Sequence, residues 1–327
     1  MVMIPFRFLL ATHGEVESPA IQAFLNSKSS IHNLKSVMNA PASTSEISKP
    51  FHQPWLGQLA SYVVLTVLAF LFIAPILLMV VGSLKPDERV LAEASTLRAF
   101  LPQRISFQNY RDVFERVKFG RFFFNSLFIN TTIVGLGLIV NSLAGYALAR
   151  LRWRGRSLVL MMVIALIILP FEAIAVPLFF QLTLLGWRNT YIAQILPFVA
   201  NAFSIYLFYT FFVDLPKELE EAARIDNANT LQTFIEIIVP LSKPAFATVA
   251  ILTFLTQWGA FLWPLLITID EQVRPLPLAI ATFQTLPPIQ WGDIMSFGVM
   301  MVAPVLVVFL VFQKWFVKGV AATGTKG

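Results

Sequence analysis

The sequence has no cysteine and only three histidines, His13, His32 and His52, among its 327 residues. Without cysteine, the chain cannot form disulfides, thiolate metal sites or a cysteine nucleophile. The histidines precede every long apolar segment, and those segments contain no pair of carboxylates for acid-base or metal chemistry. We therefore predict no catalytic residue and no metal site, and we expect that the chain is not an enzyme.

Charged residues are also scarce, at 13% of the sequence, whereas hydrophobic residues make up 57% and the mean hydropathy is +0.73. Soluble domains carry about 25% charged residues. A run of about 20 apolar residues is long enough to cross the hydrocarbon core of a membrane as a helix. The runs predicted to do so are residues 59–81, 123–148, 157–182, 191–213, 244–267 and 294–316.

Proline occurs inside these apolar runs, at Pro170, Pro177, Pro197, Pro264 and Pro304. Lipid cannot satisfy backbone polar groups, so the runs are still expected to be helices, kinked where neighbouring groups can bond the freed carbonyls. The predicted fold is therefore an all-α polytopic membrane protein with six transmembrane helices.

The net charge of +6 comes from basic residues that fall between the apolar runs. Membrane orientation explains this placement, and we predict no nucleic-acid partner. The short segment RLRWRGR carries Arg150, Arg152, Arg154 and Arg156, and such a cluster marks the cytoplasmic side. Six helices then place both termini on the cytoplasmic side of a bacterial inner membrane. The first loop, residues 82–121, would face outward in this arrangement although it is also rich in basic residues.

The beginning of the chain differs from the rest. Residues 1–56 are rich in Ser, Asn, Ala and Pro and lack a sustained apolar run, a composition that does not support a packed core. We expect a poorly ordered cytoplasmic N-terminal extension over residues 1–56 and a six-helix membrane domain over residues 57–327. The alternative is that the true start lies nearer Met38.

The polar segment between the fourth and fifth apolar runs is predicted to lie in the cytoplasm as two short helices. Asp214 can cap the first helix, and Pro216 suits its first turn. Three acidic residues would stabilise the positive end of the helix dipole, namely Glu218, Glu220 and Glu221. One face at helical spacing is predicted to dock against another surface, and its members are Leu219, Ala222, Ala223 and Asp226.

The break between these two helices has its own signals. Asn227 is predicted to end the first helix, because asparagine tolerates the left-handed backbone that terminates a helix. Asn229 and Gln232 match a capping box that would begin the second helix. The second helix is expected to stop at Pro240.

The run EAARIDNAN at residues 221–229, followed by PLSKP at residues 240–244, resembles the EAA loop of ABC-importer permeases. The segments FFFNSL, LPFEAIAVPLFF, LGWRNTY, FLWPLL and FVKGVAATGTKG resemble the carbohydrate-uptake, maltose-type branch of that family. In that family the cytoplasmic EAA coupling loop lies between transmembrane helices 4 and 5, and its first helix inserts into a groove on the ATPase. The resemblance implies ATPase-coupling roles for Glu221, Ala222, Ala223, Asp226, Asn227 and Pro240.

The sequence departs from the family pattern at two positions. Asn227 stands where the EAA motif has glycine, a change that is expected to keep the turn at a small conformational cost. Gly259 follows Trp258 where an asparagine is usual, which removes the support for a polar role at that position.

The resemblance implies a transmembrane permease subunit of a binding-protein-dependent ABC importer that forms half of the pathway for a sugar. The implied partners are a second permease subunit, a cytoplasmic ATPase dimer, a periplasmic or lipoprotein sugar-binding protein, and membrane lipid. ATP and Mg would be bound by the ATPase, and no cofactor by this chain. The C-terminal Gly324, Thr325 and Lys326 do not form a phosphate-binding loop, because their order is Gly-Thr-Lys.

Four residues within the apolar runs are candidates for the translocation path: Glu172, Asn201, Gln257 and Trp258. Sugars need hydrogen bonds along their ring edges and apolar surfaces for their ring faces. Glu172 is the only acid well inside an apolar run, where a carboxylate is costly to keep. The alternative is that these residues join helix to helix, with Glu172 near an interface.

Two other functions are compatible with a polytopic membrane protein. An ion-coupled secondary transporter typically shows repeated halves and mid-membrane charges, and the sequence shows no such repeat. An ABC-importer permease for a polyol, glycerol phosphate or a peptide stays open, because the EAA loop indicates coupling rather than cargo.

Overall fold

The computed structural model describes residues 55–101 and 104–324 of the chain. Within that part every regular element is helical, which confirms the prediction of an all-α protein. The predicted extension over residues 1–56 lies outside the described residues except for its last two positions. The chain divides into two units at Leu68, inside the first helix, and all contacts discussed below lie in the unit that begins at Ala69.

In chain order, the α-helices of the described part are α1 (Trp55–Ser83), α2 (Asp87–Ala92), α3 (Gln108–Arg116), α4 (Phe119–Ala149), α5 (Arg156–Ile168), α6 (Phe171–Leu184), α7 (Tyr191–Val199), α8 (Ala202–Val213), α9 (Glu218–Ile225), α10 (Thr230–Thr233), α11 (Val239–Leu241), α12 (Lys243–Trp258), α13 (Leu262–Ile267), α14 (Leu276–Phe283) and α15 (Trp291–Gly324). Turns of 3₁₀-helix cover Leu97–Phe100 and Glu271–Val273. A π-helical turn, Phe234–Ile238, joins α10 to α11.

Several of these helices are long and apolar enough to cross a membrane. Among the described residues, four stretches meet that criterion alone: Gly57–Ser83, Phe119–Ala149, Tyr191–Val213 and Trp291–Gln313. Two bent pairs meet it together, α5 with α6, and Thr230–Leu241 with α12. The chain is therefore a multi-pass membrane protein with four spans, or up to six if each bent pair is one span.

The third predicted span, residues 157–182, is not one kinked helix but two helices, α5 and α6, whose axes differ by 103°. Pro170 is the N-cap of α6. Leu169 adopts an extended backbone with φ −76° and ψ 116°, because a residue that precedes proline is pushed out of the helical region. Proline therefore divides this span into two separate helices instead of kinking one continuous helix.

The fifth predicted span, residues 244–267, is interrupted as well. Helix α12 ends at Trp258, and α13 begins only at Leu262. Gly259 occupies the C-cap of α12, where its low helix propensity favours an end to the helix. The residues between α12 and α13 are consequently outside a regular helix, so their backbone groups can line a cavity.

Helix α4 is the central element, against which α7, α8 and α12 pack. Helices α4 and α8 pack closely at Gly145, where an added Cβ would lie 2.6 Å from Cβ of Phe208. Small residues permit such close crossings between membrane helices. Apolar clusters pack at both ends of α4, one around Tyr146, Phe208, Phe212, Phe234 and Ile238, the other around Phe122, Phe254, Trp258, Phe283 and Phe297.

Arg116, the last residue of α3, fastens the segment that leads into α15. Its Nη1 donates to Asp293 Oδ2 at 2.7 Å and to Gln290 Oε1 at 2.9 Å. Its Nη2 donates to the carbonyl oxygens of Leu286 at 3.0 Å and Pro288 at 2.6 Å. Because Asp293 is fully buried, this arginine is the counter-charge that the carboxylate needs.

Lys85 fastens the segment between α1 and α3 in a similar way. This side chain is buried, and its Nζ donates to Glu93 Oε2 at 2.9 Å and to the carbonyl oxygen of Ala99 at 3.2 Å. The hydrogen bond from Lys85 holds the pKa of Glu93 below its ordinary value. Two basic residues of the first loop, Lys85 and Arg116, are thus neutralised within the fold.

Candidate functional site

Helix α9 begins later than the sequence predicts. Asp214 is the C-cap of α8 rather than the N-cap of α9, and α9 starts at Glu218 with Lys217 as its N-cap residue. The first turn of α9 carries three acidic side chains, as expected, and they are Glu218, Glu220 and Glu221. Negative charge at the positive end of the helix dipole stabilises this short helix in place of a side-chain cap.

The predicted docking face of α9 is split by the structure. Ala223 is buried against the rest of the chain, with 5% exposure, whereas Ala222 and Asp226 are exposed. Ile225, which the sequence analysis did not single out, is 81% exposed. The surface that α9 presents outward is therefore formed by Glu221, Ala222 and Ile225, with Ala223 on the opposite side.

Asn227 ends α9 in the predicted conformation. Its φ of 61° is left-handed, and the Ala228 N–H donates to the Ala223 carbonyl at 2.9 Å. The Asn227 N–H also donates to the Arg224 carbonyl at 3.1 Å, which completes a Schellman motif. The structure therefore confirms that asparagine can supply the left-handed turn at this position.

The restart after α9 is confirmed as a capping box. The Asn229 N–H donates to Gln232 Oε1, and the Gln232 N–H donates to Asn229 Oδ1, both at 2.9 Å. The helical path continues past Pro240 to Leu241, one residue beyond the predicted stop. A π-helical turn precedes Pro240, and the chain then bends by 79° into α12. The wider turn accommodates a proline that cannot donate a backbone hydrogen bond.

Arg150, the C-cap residue of α4, bonds the first turn of α9 and the segment that precedes it. Its Nε donates to Glu220 Oε1 at 2.7 Å, and the two side chains are only 4% and 13% exposed. Its Nη1 and Nη2 donate to the carbonyl oxygens of Leu215 and Pro216, both at 3.0 Å. We call this set of bonds the Arg150 clamp. Charge-assisted bonds that are shielded from water are stronger than exposed ones, so the clamp ties α9 to α4.

Two of the predicted path residues lie at breaks between helices. Glu172 is exposed in the first turn of α6, directly after the bend from α5. Asn201 is the N-cap of α8, and its side chain accepts from the Ser204 N–H at 2.9 Å. The backbone N–H of Asn201 donates to Asn141 Oδ1 at 2.9 Å, so this residue also fixes the α7–α8 break.

The other two predicted path residues share a small cavity of about 30 Å³ at the end of α12. Gln257 is half-buried there beside Asn130. Trp258 is buried, stacks on Phe254 and donates its indole N–H to the Met301 carbonyl at 2.9 Å. The structure therefore brings Gln257 and Trp258 together, whereas Glu172 and Asn201 lie outside the lining of this cavity.

Buried amide side chains along α4 were missed by the sequence analysis. Asn141 Nδ2 donates to the Val199 carbonyl at 3.0 Å, and Asn130 Nδ2 donates to the Phe254 carbonyl at 3.1 Å. Asn125 Nδ2 donates to the carbonyls of the segment before α14. The signal was present in the sequence, because polar residues recur in an otherwise apolar run. They join α4 to the backbone of broken helices.

These groups bind through hydrogen bonds and packing rather than through bond-breaking chemistry. Asn130 Oδ1 is buried without a partner among the described residues and borders the cavity with Gln257. Over residues 55–101 and 104–324, no group of three or more His, Cys, Asp or Glu residues is arranged to hold a metal.

Residues 134–322 match the family described as binding-protein-dependent transport system inner membrane component, and the match covers more than half of the chain. The chain belongs to this family. As an inner membrane component, it is a transport subunit and not an enzyme, and ATP hydrolysis belongs to a separate subunit.

This inner membrane component is similar to named permeases over most of its length. It is 33% identical to the arabinooligosaccharides transport system permease protein of Halalkalibacterium halodurans, over 80% of this chain and 93% of that protein. It is also 33% identical to the trehalose/maltose transport system permease protein of Thermococcus litoralis, over 80% of this chain and 94% of that protein.

Among solved structures, this inner membrane component is similar to a chain of a bacterial ABC transporter involved in the import of the acidic polysaccharide alginate. The TM-score is 0.74 and the identity 25%, over 82% of this chain and 100% of that chain. Together these similarities confirm the resemblance to carbohydrate ABC-importer permeases that the EAA loop indicates.

We predict that the turn after α9 discriminates between substitutions at Asn227. Asn227→Gly should preserve the turn, because glycine adopts positive φ freely. Asn227→Val should weaken it by about 1–2 kcal/mol, because a β-branched residue is strained in the left-handed region. Hydrogen exchange at the Ala228 amide checks this, with about tenfold faster exchange expected for the valine variant. Equal exchange in the two variants would contradict the prediction.

Proposed function

We propose that this chain forms half of the translocation pathway of an ABC importer for a sugar, and that α9 docks into a separate ATPase subunit. The exposed surface of Glu221, Ala222 and Ile225 on α9 carries this proposal. Ile225 is 81% exposed and lies beside the exposed Ala222, so the two form an apolar patch on a helix fixed at both ends. A small protruding helix with an apolar patch suits insertion into a groove of a partner.

Some of the proposed coupling residues would contact the ATPase, and others would hold α9 in place. Glu221, Ala222 and Ile225 would touch the ATPase, and Asp226 would lie at the edge of that contact. Ala223 is buried within the chain, so its proposed role is to let α9 lie close to its own support. Asn227 and the following capping box make the turn rigid.

Pro240 is proposed to lie on the route by which motion of α9 reaches the membrane. It follows the π-helical turn and precedes the 79° bend into α12. Helix α12 packs against α4, and the Arg150 clamp connects α4 back to α9. A displacement of α9 would therefore act on α4 and α12 together.

We propose six spans, formed by the four long stretches, by the α5–α6 pair and by residues 244–267, with both termini on the cytoplasmic side of a bacterial inner membrane. The four arginines of residues 150–156 support this orientation because they lie between two proposed spans. The basic first loop conflicts less than its composition suggests, because Lys85 and Arg116 are paired with carboxylates that are only 13% and 1% exposed. Residues 57–327 would form the permease domain, and residues 1–56 a cytoplasmic extension.

The proposed partners are a second permease subunit, a dimer of ATPase subunits and a periplasmic or lipoprotein sugar-binding protein. ATP and Mg would bind to the ATPase. The exposed apolar side chains of the membrane helices, such as Met161, Ile168 and Leu310, would contact lipid or the second permease.

The path residues are proposed from a feature that they share. Glu172 lies at the α5–α6 break, Asn201 at the α7–α8 break, and Gln257 with Trp258 at the α12–α13 break. Broken membrane helices expose backbone and polar groups where they line a cavity. Asn130, which borders the same cavity as Gln257, joins this set.

A sugar is the proposed cargo because the relatives reported above are named for oligosaccharides, trehalose and maltose. The complex reconstituted with its binding protein should hydrolyse ATP faster when an arabino-oligosaccharide or a maltose-type sugar is added. Stimulation by a polyol, glycerol phosphate or a peptide, with none by any sugar, would overturn the sugar assignment while leaving the importer assignment intact.

The docking role of α9 predicts the effect of a charge on its exposed surface. Ile225→Asp should insert into the membrane normally, because this side chain is exposed, but should weaken ATPase binding about tenfold, as for a buried interface contact. The measurement is the amount of ATPase subunit that co-purifies with the permease. Since the ATPase is cytoplasmic, the same result supports the proposed orientation.

Leu97→Asp is the matched control, because Leu97 is 86% exposed and receives the same chemical change in the loop between α1 and α3. This variant should retain the ATPase. Full ATPase retention and normal uptake in Ile225→Asp would refute the coupling assignment.

A further inference from the structure

A basic cleft of about 490 Å³ lies beside α9; it shares Glu221 with the exposed docking surface but is not lined by Ala222 or Ile225. We define it by the side chains of Arg152, Arg156, Lys217, Glu221 and Arg224, together with the clamp pair. Lys217 is the N-cap residue of α9 and Arg224 lies in its last turn, whereas Arg152 lies between α4 and α5 and Arg156 is the first residue of α5. The cleft therefore joins two separate parts of the chain.

The charge of this basic cleft is unbalanced. The clamp arginine is neutralised by its glutamate, and Arg156 donates to the carbonyl oxygens of Ala149 and Leu151 at 3.2 and 3.4 Å. Arg152 and Lys217 form no ion pair within the described part of the chain. Glu221 alone opposes the remaining cationic groups, so the cleft attracts an anion.

The position of the cleft indicates the kind of anion. It is lined by Ala149, the last residue of α4, and by Val213, the last residue of α8, and both helices belong to membrane-crossing stretches. Val213 exposes apolar surface in this lining, Leu151 adds a second apolar side chain, and Trp153 is exposed in the loop that carries Arg152. Cationic and apolar side chains in one cleft match the headgroup and the acyl part of a phospholipid at a membrane surface.

We propose that the basic cleft binds the phosphate headgroup of an anionic phospholipid. Arg152, Lys217 and Arg224 would approach the phosphate oxygens, and the acyl chains would lie along the exposed side of α5. Basic pockets between membrane helices are known to suit such headgroups. A free phosphate ion would use the cationic groups but gain nothing from Leu151 and Val213.

This site would make α9 responsive to the membrane, because Lys217 directly precedes α9 and Arg224 lies in its last turn. The proposal goes beyond ATPase docking and does not depend on it. Loss of ATPase binding in Ile225→Asp leaves the lipid site unchanged, so failure of one proposal is distinguishable from failure of the other.

The test measures binding of dioleoylphosphatidylglycerol to the purified full chain in a neutral detergent. The double variant Arg152→Gln with Lys217→Gln should bind this lipid at least about tenfold more weakly, because two cationic groups near the headgroup are lost. Arg154→Gln is the matched control, since Arg154 is exposed in the same loop but does not line the cleft. It should bind as the wild type does.

Two further measurements identify the source of the phosphate and guard against misfolding. Soluble inorganic phosphate and glycerol phosphate should fail to displace the lipid at millimolar concentration, and dioleoylphosphatidylcholine should bind more weakly than the anionic lipid. Arg152→Lys, which keeps the charge, should bind nearly as well as the wild type.

Three outcomes would overturn the proposal. The first is wild-type lipid affinity in the double variant. The second is displacement of the lipid by soluble phosphate, which would make the cleft a phosphate site. The third is a double variant that keeps its lipid affinity but loses the ATPase, which would make the cleft a protein interface.

Discussion

The Arg150 clamp is the interaction on which the functional geometry depends. A helix of eight residues is too short to be stable by itself in water, so α9 needs a fixed support. The clamp supplies that support with one ion pair and two backbone bonds at the end of α4. Because Ala223 then faces the chain, Ile225 must face outward. The surface available to a partner thus follows from which side of α9 the clamp holds.

Fixed supports are also needed in the membrane part of the structure. Proline and glycine break several helices, and each break leaves backbone groups that lipid cannot satisfy. The amides of α4 bond some of these groups, as Asn141 does at the α7–α8 break and Asn130 does on α12. Helix α4 therefore connects the helix breaks, where the proposed path lies, to the clamp. A motion of α9 and a rearrangement at the helix breaks would therefore both act on the same helix, α4.

Much of this was predictable from local signals. Apolar run length identified the four long membrane helices, and Asn227, Asn229 and Gln232 identified the turn after α9, because these features depend on neighbouring residues alone. The exposed side of α9 was not predictable, since Ala222 and Ala223 differ only in what they face. The Arg150–Glu220 pair was equally hidden, because 70 residues separate its members. The sharp bend at Pro170 was underestimated, since proline alone does not fix the angle between two helices.

The most direct test of this account is the distance between α9 and α4 when the clamp is removed. The chain has no cysteine, so spin labels can be placed at Ala222→Cys and Leu136→Cys without other changes. Pulsed electron paramagnetic resonance measures the distance between the two labels. Its distribution should be narrow in the otherwise native chain and in Arg154→Met, and broad in Arg150→Met. A distribution that stays equally narrow in Arg150→Met would contradict the claim that the clamp holds α9 in place.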